Sequence, residues 1–243
     1  MPNEKQPSKA EGEDQPVVEQ AAEKAAEVVE GAGAAAAGAK QDLTEAAVEI
    51  AGPEPPEKRA ALREMGGVRA LDASIFLAVN HLPHSQTTND LVETVSDLGK
   101  GAGWVAAATV LAVAGSKGGW RTAAVTTATM LAATGLTQGP IKAYFLRQRP
   151  WAVLEEDIVI GKRTTDSSFP SGHTAGSFAA GLAMSHCYPR HRPMLLGIAA
   201  AVGFSRIYLG HHYPSDVLGG VIIGAVVGLG SGKISDALVR NNC

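Results

Sequence analysis

The sequence predicts an all-α protein whose apolar helices cross a membrane as one bundle. Two observations carry this expectation. From Val68 onward the chain falls into charge-free blocks dense in Ala, Gly, Val and Thr, and the charged residues collect between them. The bulk figures, 45% hydrophobic residues and a mean hydropathy near zero, average over two unlike parts. Residues 1–60 hold 6 Lys/Arg against 13 Asp/Glu, a formal charge of −7, whereas residues 61–243 hold 15 against 11, a charge of +4.

Residues 1–60 are rich in Ala, Glu, Gly and Pro and contain no aromatic residue. Such a segment buries too little apolar surface to offset its ordering entropy, so it reads as a disordered acidic tail. Helix propensity alone favours Val17–Ile50, with Gly31, Gly33 and Gly38 as interruptions. Leu71–Leu82 then reads as a short apolar helix and Leu91–Leu98 as a short amphipathic one. Longer apolar stretches follow at Ala102–Gly115, Ala123–Gly139, Thr174–Cys187, Met194–Leu209 and Val217–Gly232. A span needs roughly 20 apolar residues, and several of these are shorter. Gly and Ala nevertheless let helices approach closely inside a membrane bundle. A soluble all-α protein with buried helices is the competing fold. Residues 61–243 are expected to form the membrane-embedded domain.

Charge placement sets an expected orientation. Lys117 and Arg121, Arg190 and Arg192, and Lys233 and Arg240 fall in segments that would share one side, cytoplasmic by the positive-inside rule. Both termini would lie there, and residues 140–172 and 206–216 would face the other side. Lys142, Arg147, Arg149, Lys162 and Arg163 make that far side basic as well, which requires another reason; binding of phosphate supplies one. The N-terminus lacks the apolar run of a secretory signal, so an internal helix is expected to direct membrane insertion. Cys187 and Cys243 are too few for a disulfide framework and read as free thiols. No Cys/His cluster has zinc-ligand spacing, so no metal is expected.

Three polar clusters fall on the far side. Lys142 and Arg149 are seven residues apart, two helical turns, and Pro150 disfavours helix at Arg149. Pro170-Ser171-Gly172-His173 precedes an apolar helix: Ser171 suits an N-cap, and a helix N-terminus with an open Gly backbone attracts anions. Arg206 sits in an otherwise apolar helix, where a charge is expensive and points to function. His212 and Asp216 stand at i and i+4, so the carboxylate can fix the imidazole tautomer. His211 is a rival that lies off the face Asp216 reaches. Each cluster alone has a plain alternative: a headgroup anchor, a capped helix start, or a His–Asp cap.

Together and in order, K-x6-RP, PSGH and SR-x5-H-x3-D resemble the signature of the type 2 phosphatidic acid phosphatase family, which includes vanadium haloperoxidases and bacterial lipid phosphatases. Every fixed position is matched, and the resemblance extends over roughly residues 69–232, including an LDxxIF opening typical of bacterial members. It implies a bundle of about six helices of the acid phosphatase/vanadium haloperoxidase type. It also implies a phosphate clamp of Lys142, Arg149 and Arg206, assisted by Ser171 and Gly172. His212 would be the nucleophile forming a phosphohistidine, Asp216 its orienting group, and His173 the general acid–base. No cofactor is implied. The expected partners are a lipid phosphate and the bilayer, with no nucleic acid and no stated oligomeric state; the expected place is a bacterial inner membrane. Candidate substrates are isoprenyl phosphates or diphosphates, phosphatidic acid and phosphatidylglycerophosphate. A vanadate-dependent haloperoxidase and an inactive anion-binding membrane protein are the alternatives.

Overall fold

The computed structural model describes residues 15–50, 64–114, 119–154 and 157–238. All regular structure among them is helical: α1 Gln15–Ile50, α2 Gly67–Asn80, α3 Gln86–Leu98, α4 Ala102–Val113, α5 Gly119–Leu136, α6 Gly172–Cys187, α7 Arg192–Tyr208 and α8 Pro214–Leu238. Single turns occupy Lys142–Phe145 and Pro150–Val153. α5 reaches the first of these through a π-helical stretch, Thr137–Ile141, that contains Pro140. Proline supplies no backbone donor, and a wider turn absorbs the lost i→i−4 bond.

α6 is the hub, packed by α8, α5 and α7. It is apolar on nearly every side, and Gly172, Thr174–Ser177 and Ala179–Ser185 are buried, as a helix enclosed by others requires. Behind it Trp104, Ala108 and Ala112 of α4, Ala123 and Met130 of α5, and Leu195 and Ala199 of α7 form one apolar core. The α6–α8 contact depends on Gly220, Gly224 and Gly228 of α8. A Cβ on Gly220 would lie 2.6 Å from the Ser171 carbonyl oxygen, and one on Gly224 would lie 2.5 Å from that of Ala175. This stripe draws the start of α8 against the start of α6, where the polar clusters lie. The opposite face of α8 presents Leu218, Ile222, Val226 and Leu229 outward.

Among the described residues one helix, over Pro214–Gly232, is long and apolar enough to cross a membrane. The other expected spans are shorter or more polar: the 12 residues of α4 extend about 18 Å against a hydrocarbon core of about 30 Å.

Two expectations are corrected. The acidic tail, expected to be disordered over residues 1–60, is helical over Gln15–Ile50, and its remaining residues 1–14 and 51–60 lie outside the described ones. The reason is tertiary. Thr44 Oγ1 accepts the Gly67 N–H at 2.7 Å, and Val48 enters a core with Ala73, Phe76, Leu77, Ile207 and Tyr213. The last turns of α1 therefore gain the burial that their composition alone could not supply. Cys187, expected as a free thiol, is disulfide-bonded; the chain's other cysteine, Cys243, lies outside the described residues.

Candidate active site

The first cluster does not use helical phase. The helix carrying Lys142 ends at Phe145, Leu146 turns left-handed (φ 46°), and Arg149 is extended before the turn Pro150–Val153. Lys142 and Arg149 meet through Asp166 instead. The Lys142 ammonium donates to Asp166 Oδ2, Arg149 Nη2 to Oδ1 at 2.9 Å, and Arg149 Nε to the Asp166 carbonyl at 3.1 Å. Burial alone would raise the Asp166 carboxyl. The hydrogen bonds from Lys142 and Thr164 and the charge of Arg149 outweigh it and hold the group well below the usual carboxylate range.

The second cluster is the N-terminus of α6. Ser171 is the N-cap, its Oγ accepting from Thr174 N at 3.5 Å and from Thr174 Oγ1 at 2.9 Å. Gln138, in the π-helical stretch, covers Gly172: a Cβ there would come within 2.8 Å of Gln138 Nε2. One residue on, His173 buries Nε2 with no hydrogen-bond partner.

The third cluster wraps from α7 into α8. Arg206 is buried; Nη1 donates to Ser96 Oγ at 2.6 Å and Nε has no partner. The N–H groups of His211 and His212 both donate to the Arg206 carbonyl, at 3.0 and 3.2 Å. Gly210 (φ 80°) makes this turn possible, since a Cβ there would stand 2.3 Å from the Ile158 carbonyl oxygen. His212 is buried, with Nδ1 3.6 Å from Asp216 Oδ2 and no hydrogen bond. Asp216 is fully buried. Its Oδ2 accepts from Ser168 Oγ and from Tyr213 N (2.9 Å), and its Oδ1 from Arg147 Nη1 at 2.7 Å. His211 points elsewhere, with Nε2 2.8 Å from the Ile160 carbonyl oxygen. Burial and Arg206 push its imidazole down to about 4, so it is neutral and donates there.

The clusters share one site. Burial, then the charges of Arg149, Arg206 and Lys142, hold the His212 imidazole well below its ordinary value; cations from two distant segments act on one ring. His173 lies within the field of Arg206 and His212, and Ser171 N donates to the Asp216 carbonyl at 3.0 Å, locking the α6 and α8 starts together. All eight residues singled out in the sequence are thus at one end of the bundle. Among the described residues no group of three or more His, Cys, Asp or Glu could hold a metal ion.

Sequence reasoning missed Asp166, Ser168 and Asp72, and counted Arg147 only among the basic residues of the far side rather than as the partner of Asp216. For Asp72 a signal existed: a lone carboxylate in an apolar helix points to function by the rule applied to Arg206. For Ser168 there was none, because a serine in a loop is unremarkable until its neighbours are known.

An all-helical bundle with two imidazoles and three cations gathered at one end defines an anion-handling class of site. Residues 123–239 match the PAP2 superfamily. The chain is 35% identical over 98 residues to undecaprenyl-diphosphatase BcrC of Bacillus subtilis, covering 40% of this chain and 50% of that protein. It thus spans about half the length of that curated relative. The crystal structure of Aquifex aeolicus LpxE aligns with a TM-score of 0.57 at 27% identity, over 65% of this chain and 93% of that one. A transmembrane PAP2-type phosphatidylglycerolphosphate phosphatase from Bacillus subtilis aligns at 0.55 and 20% identity, over 75% and 94%; at that identity the likeness is one of fold.

Proposed function

We propose that the protein is a membrane lipid phosphatase that cleaves a phosphate monoester or diphosphate through a phosphohistidine on His212, without a metal. The observation that carries this reading is the convergence on His212 of three cations: the His212 N–H donates to the Arg206 carbonyl at 3.2 Å, Arg149 Nη1 donates to the carbonyl of the adjacent His211 at 2.8 Å, and Lys142 joins Arg149 on Asp166. With Nδ1 turned to Asp216, Nε2 is the nitrogen left to attack phosphorus. The three cations, the Ser171 hydroxyl and the Gly172 N–H take the non-bridging oxygens, the electrostatic work that phosphoryl transfer demands. His173 protonates the departing lipid oxygen as the P–O bond breaks. It then removes a proton from the water that attacks the phosphohistidine, breaking the P–N bond and releasing inorganic phosphate. Asp216 holds the ring orientation through both steps.

A lipid substrate is supported by the surroundings. The outward apolar face of α8 suits a bilayer, and an apolar cavity of about 550 Å³ lies between α4, α6 and α7, lined by Leu98, Trp104, Met184 and Leu195. Leu98 at its rim adjoins Gly99, where a Cβ would stand 3.1 Å from His173 Cβ. The likeness to an undecaprenyl-diphosphatase makes a polyprenyl diphosphate the first substrate to try. In this reading about six helices traverse a bacterial inner membrane, the shorter ones within locally thinned lipid. The site faces outward and both termini face the cytoplasm. The disulfide of Cys187 sits at the end this reading assigns to the cytoplasm, where thiols are kept reduced. In whole cells an impermeant thiol reagent applied after reduction should leave Cys187 unlabelled; labelling reverses the orientation.

The test of function is phosphate release by purified protein in detergent from a panel of polyprenyl phosphates and diphosphates, phosphatidic acid and phosphatidylglycerophosphate, with and without EDTA. Release that resists EDTA and vanishes in His212→Ala is expected. Release that needs added magnesium, or that persists in His212→Ala, overturns the proposal.

A further inference from the structure

We infer that Asp72 and Arg147 form a positioning pair that sets the His212 imidazole through Asp216; this rests on the roles just proposed for His212 and Asp216. The Arg147 guanidinium bridges two carboxylates far apart in the sequence, Asp72 and Asp216. Nη1 donates to Asp216 Oδ1 at 2.7 Å and to Ser215 Oγ at 2.6 Å, while Nη2 donates to Asp72 Oδ2 at 2.6 Å. Asp72 Oδ1 accepts the Ser215 N–H at 2.9 Å, so it also fixes the first turn of α8. The guanidinium lies 4.3 Å from the centroid of the Tyr213 ring, which limits its sideways movement. Asp72 itself is buried in an apolar helix of α2. An ionised carboxylate there is costly without a partner, and Arg147 is that partner.

The arrangement differs from a plain ion pair anchoring α2, because its far end is the carboxylate beside the nucleophile. Asp216 has two oxygens. Ser168 and Tyr213 hold Oδ2, the oxygen facing His212 Nδ1, and Arg147 holds Oδ1. Arg147 therefore fixes the rotation of the carboxylate about its own axis, and Asp72 fixes Arg147. Arg147 also stands between Lys142 and Arg149 in sequence, so one short segment carries both clamp cations and the counterion of Asp216. Lysine could not replace it, since one ammonium lacks the planar fork that reaches two carboxylates at once.

The pair also sets the charge felt by the ring. His212 faces Lys142, Arg149 and Arg206, with His211 and His173 nearby and Asp216 as its carboxylate. Removing Arg147 leaves those cations in place and frees Asp216 from its compensating charge. The carboxylate then stabilises a protonated His212, and the acid limb of kcat/KM moves to higher pH.

The experiment uses the full chain in detergent with farnesyl diphosphate as probe, comparing Asp72→Asn, Arg147→Met, Arg147→Lys, the Asp72→Asn/Arg147→Met double variant and His212→Ala. Thermal protection by orthovanadate reports an intact clamp. Each single variant at 72 or 147 is expected to lose about 10²-fold in kcat, the size of a small misalignment of a reacting group. KM should change less than threefold, vanadate protection should persist, and Arg147→Lys should fail to rescue. The double variant should lose no more than the worse single one, and Arg147→Met should raise the acid limb. Wild-type kcat with an unmoved acid limb in the single variants, additive losses in the double, or loss of vanadate protection together with kcat each overturns the pair. His212→Ala separates the layers: if it is inactive while the other variants behave as wild type, only the positioning pair fails. Turnover by His212→Ala removes the phosphohistidine reading itself.

Discussion

The proposed phosphate clamp and the proposed nucleophile seat are both built on one carboxylate surrounded by donors, yet the two carboxylates differ in what surrounds them. Asp166 sits on the loop before α6 with its side chain 43% exposed, holding Lys142 and Arg149. Asp216 is fully enclosed and tied by Arg147, Ser168 and Tyr213. Water can screen and replace the first set of contacts as a phosphate arrives; no such exchange is open to the second. In the proposed reading the clamp is therefore a place where anions trade, and the seat is a fixed frame. Phosphoryl transfer needs both properties at adjacent points, because the substrate must enter and leave while the attacking nitrogen holds its direction.

The contrast breaks most sharply at the seat. His212→Ala should lower kcat by about 10⁴-fold or more while orthovanadate still protects the protein thermally, as expected when a covalent nucleophile is removed from an intact anion site. If both activity and protection survive, the seat is not where the chemistry happens. Next in size are the cations: Arg149→Ala and Arg206→Ala should each cost about 10²- to 10³-fold in kcat/KM. Steady-state rates on one lipid diphosphate would show this, and a loss below tenfold would remove that cation from the clamp.

The pH profile sharpens the same comparison. The nucleophile must be unprotonated, and burial with three cations lowers the His212 value well below 6.5. Activity should therefore persist below pH 6.5, with the acid limb of kcat/KM further down. A limb at or above 6.5 would mean that the ring is not held among those charges. At the clamp the effect is smaller. Asp166→Asn should tighten product inhibition by inorganic phosphate, by about fivefold at most, the size of a partly exposed ion pair. Weaker inhibition would show that Asp166 shapes the clamp rather than competing for it. Smallest for catalysis is Val48→Ala at the end of α1. Removing two methyl groups at about 0.8 kcal/mol each should cost about 1.5 kcal/mol of stability and leave kcat unchanged.

Legibility in the sequence followed the range of the interactions. The i, i+4 pair His212 and Asp216 and the N-cap Ser171 are local, and spacing alone brought them forward. The cation pair was legible as a pair but not as geometry. Leu146 breaks the helix between Lys142 and Arg149, so Asp166, not helical phase, makes them neighbours. Asp72 lies 75 residues from Arg147, and no periodicity connects them.

The sequence by itself determined the helical class, the order of the three polar clusters, the N-cap at the start of α6 and the likeness of residues 123–239 to the PAP2 superfamily. These depend on near-neighbour rules: charge-free blocks, capping residues and fixed intervals of a few residues. Only the tertiary structure decided that α1 ends in the core, that Asp166 joins Lys142 to Arg149, and that Arg147 joins α2 to Asp216. The physical reason is that a buried charge is tolerable only with a partner, and that partner is chosen by packing across the fold, at separations no local pattern records.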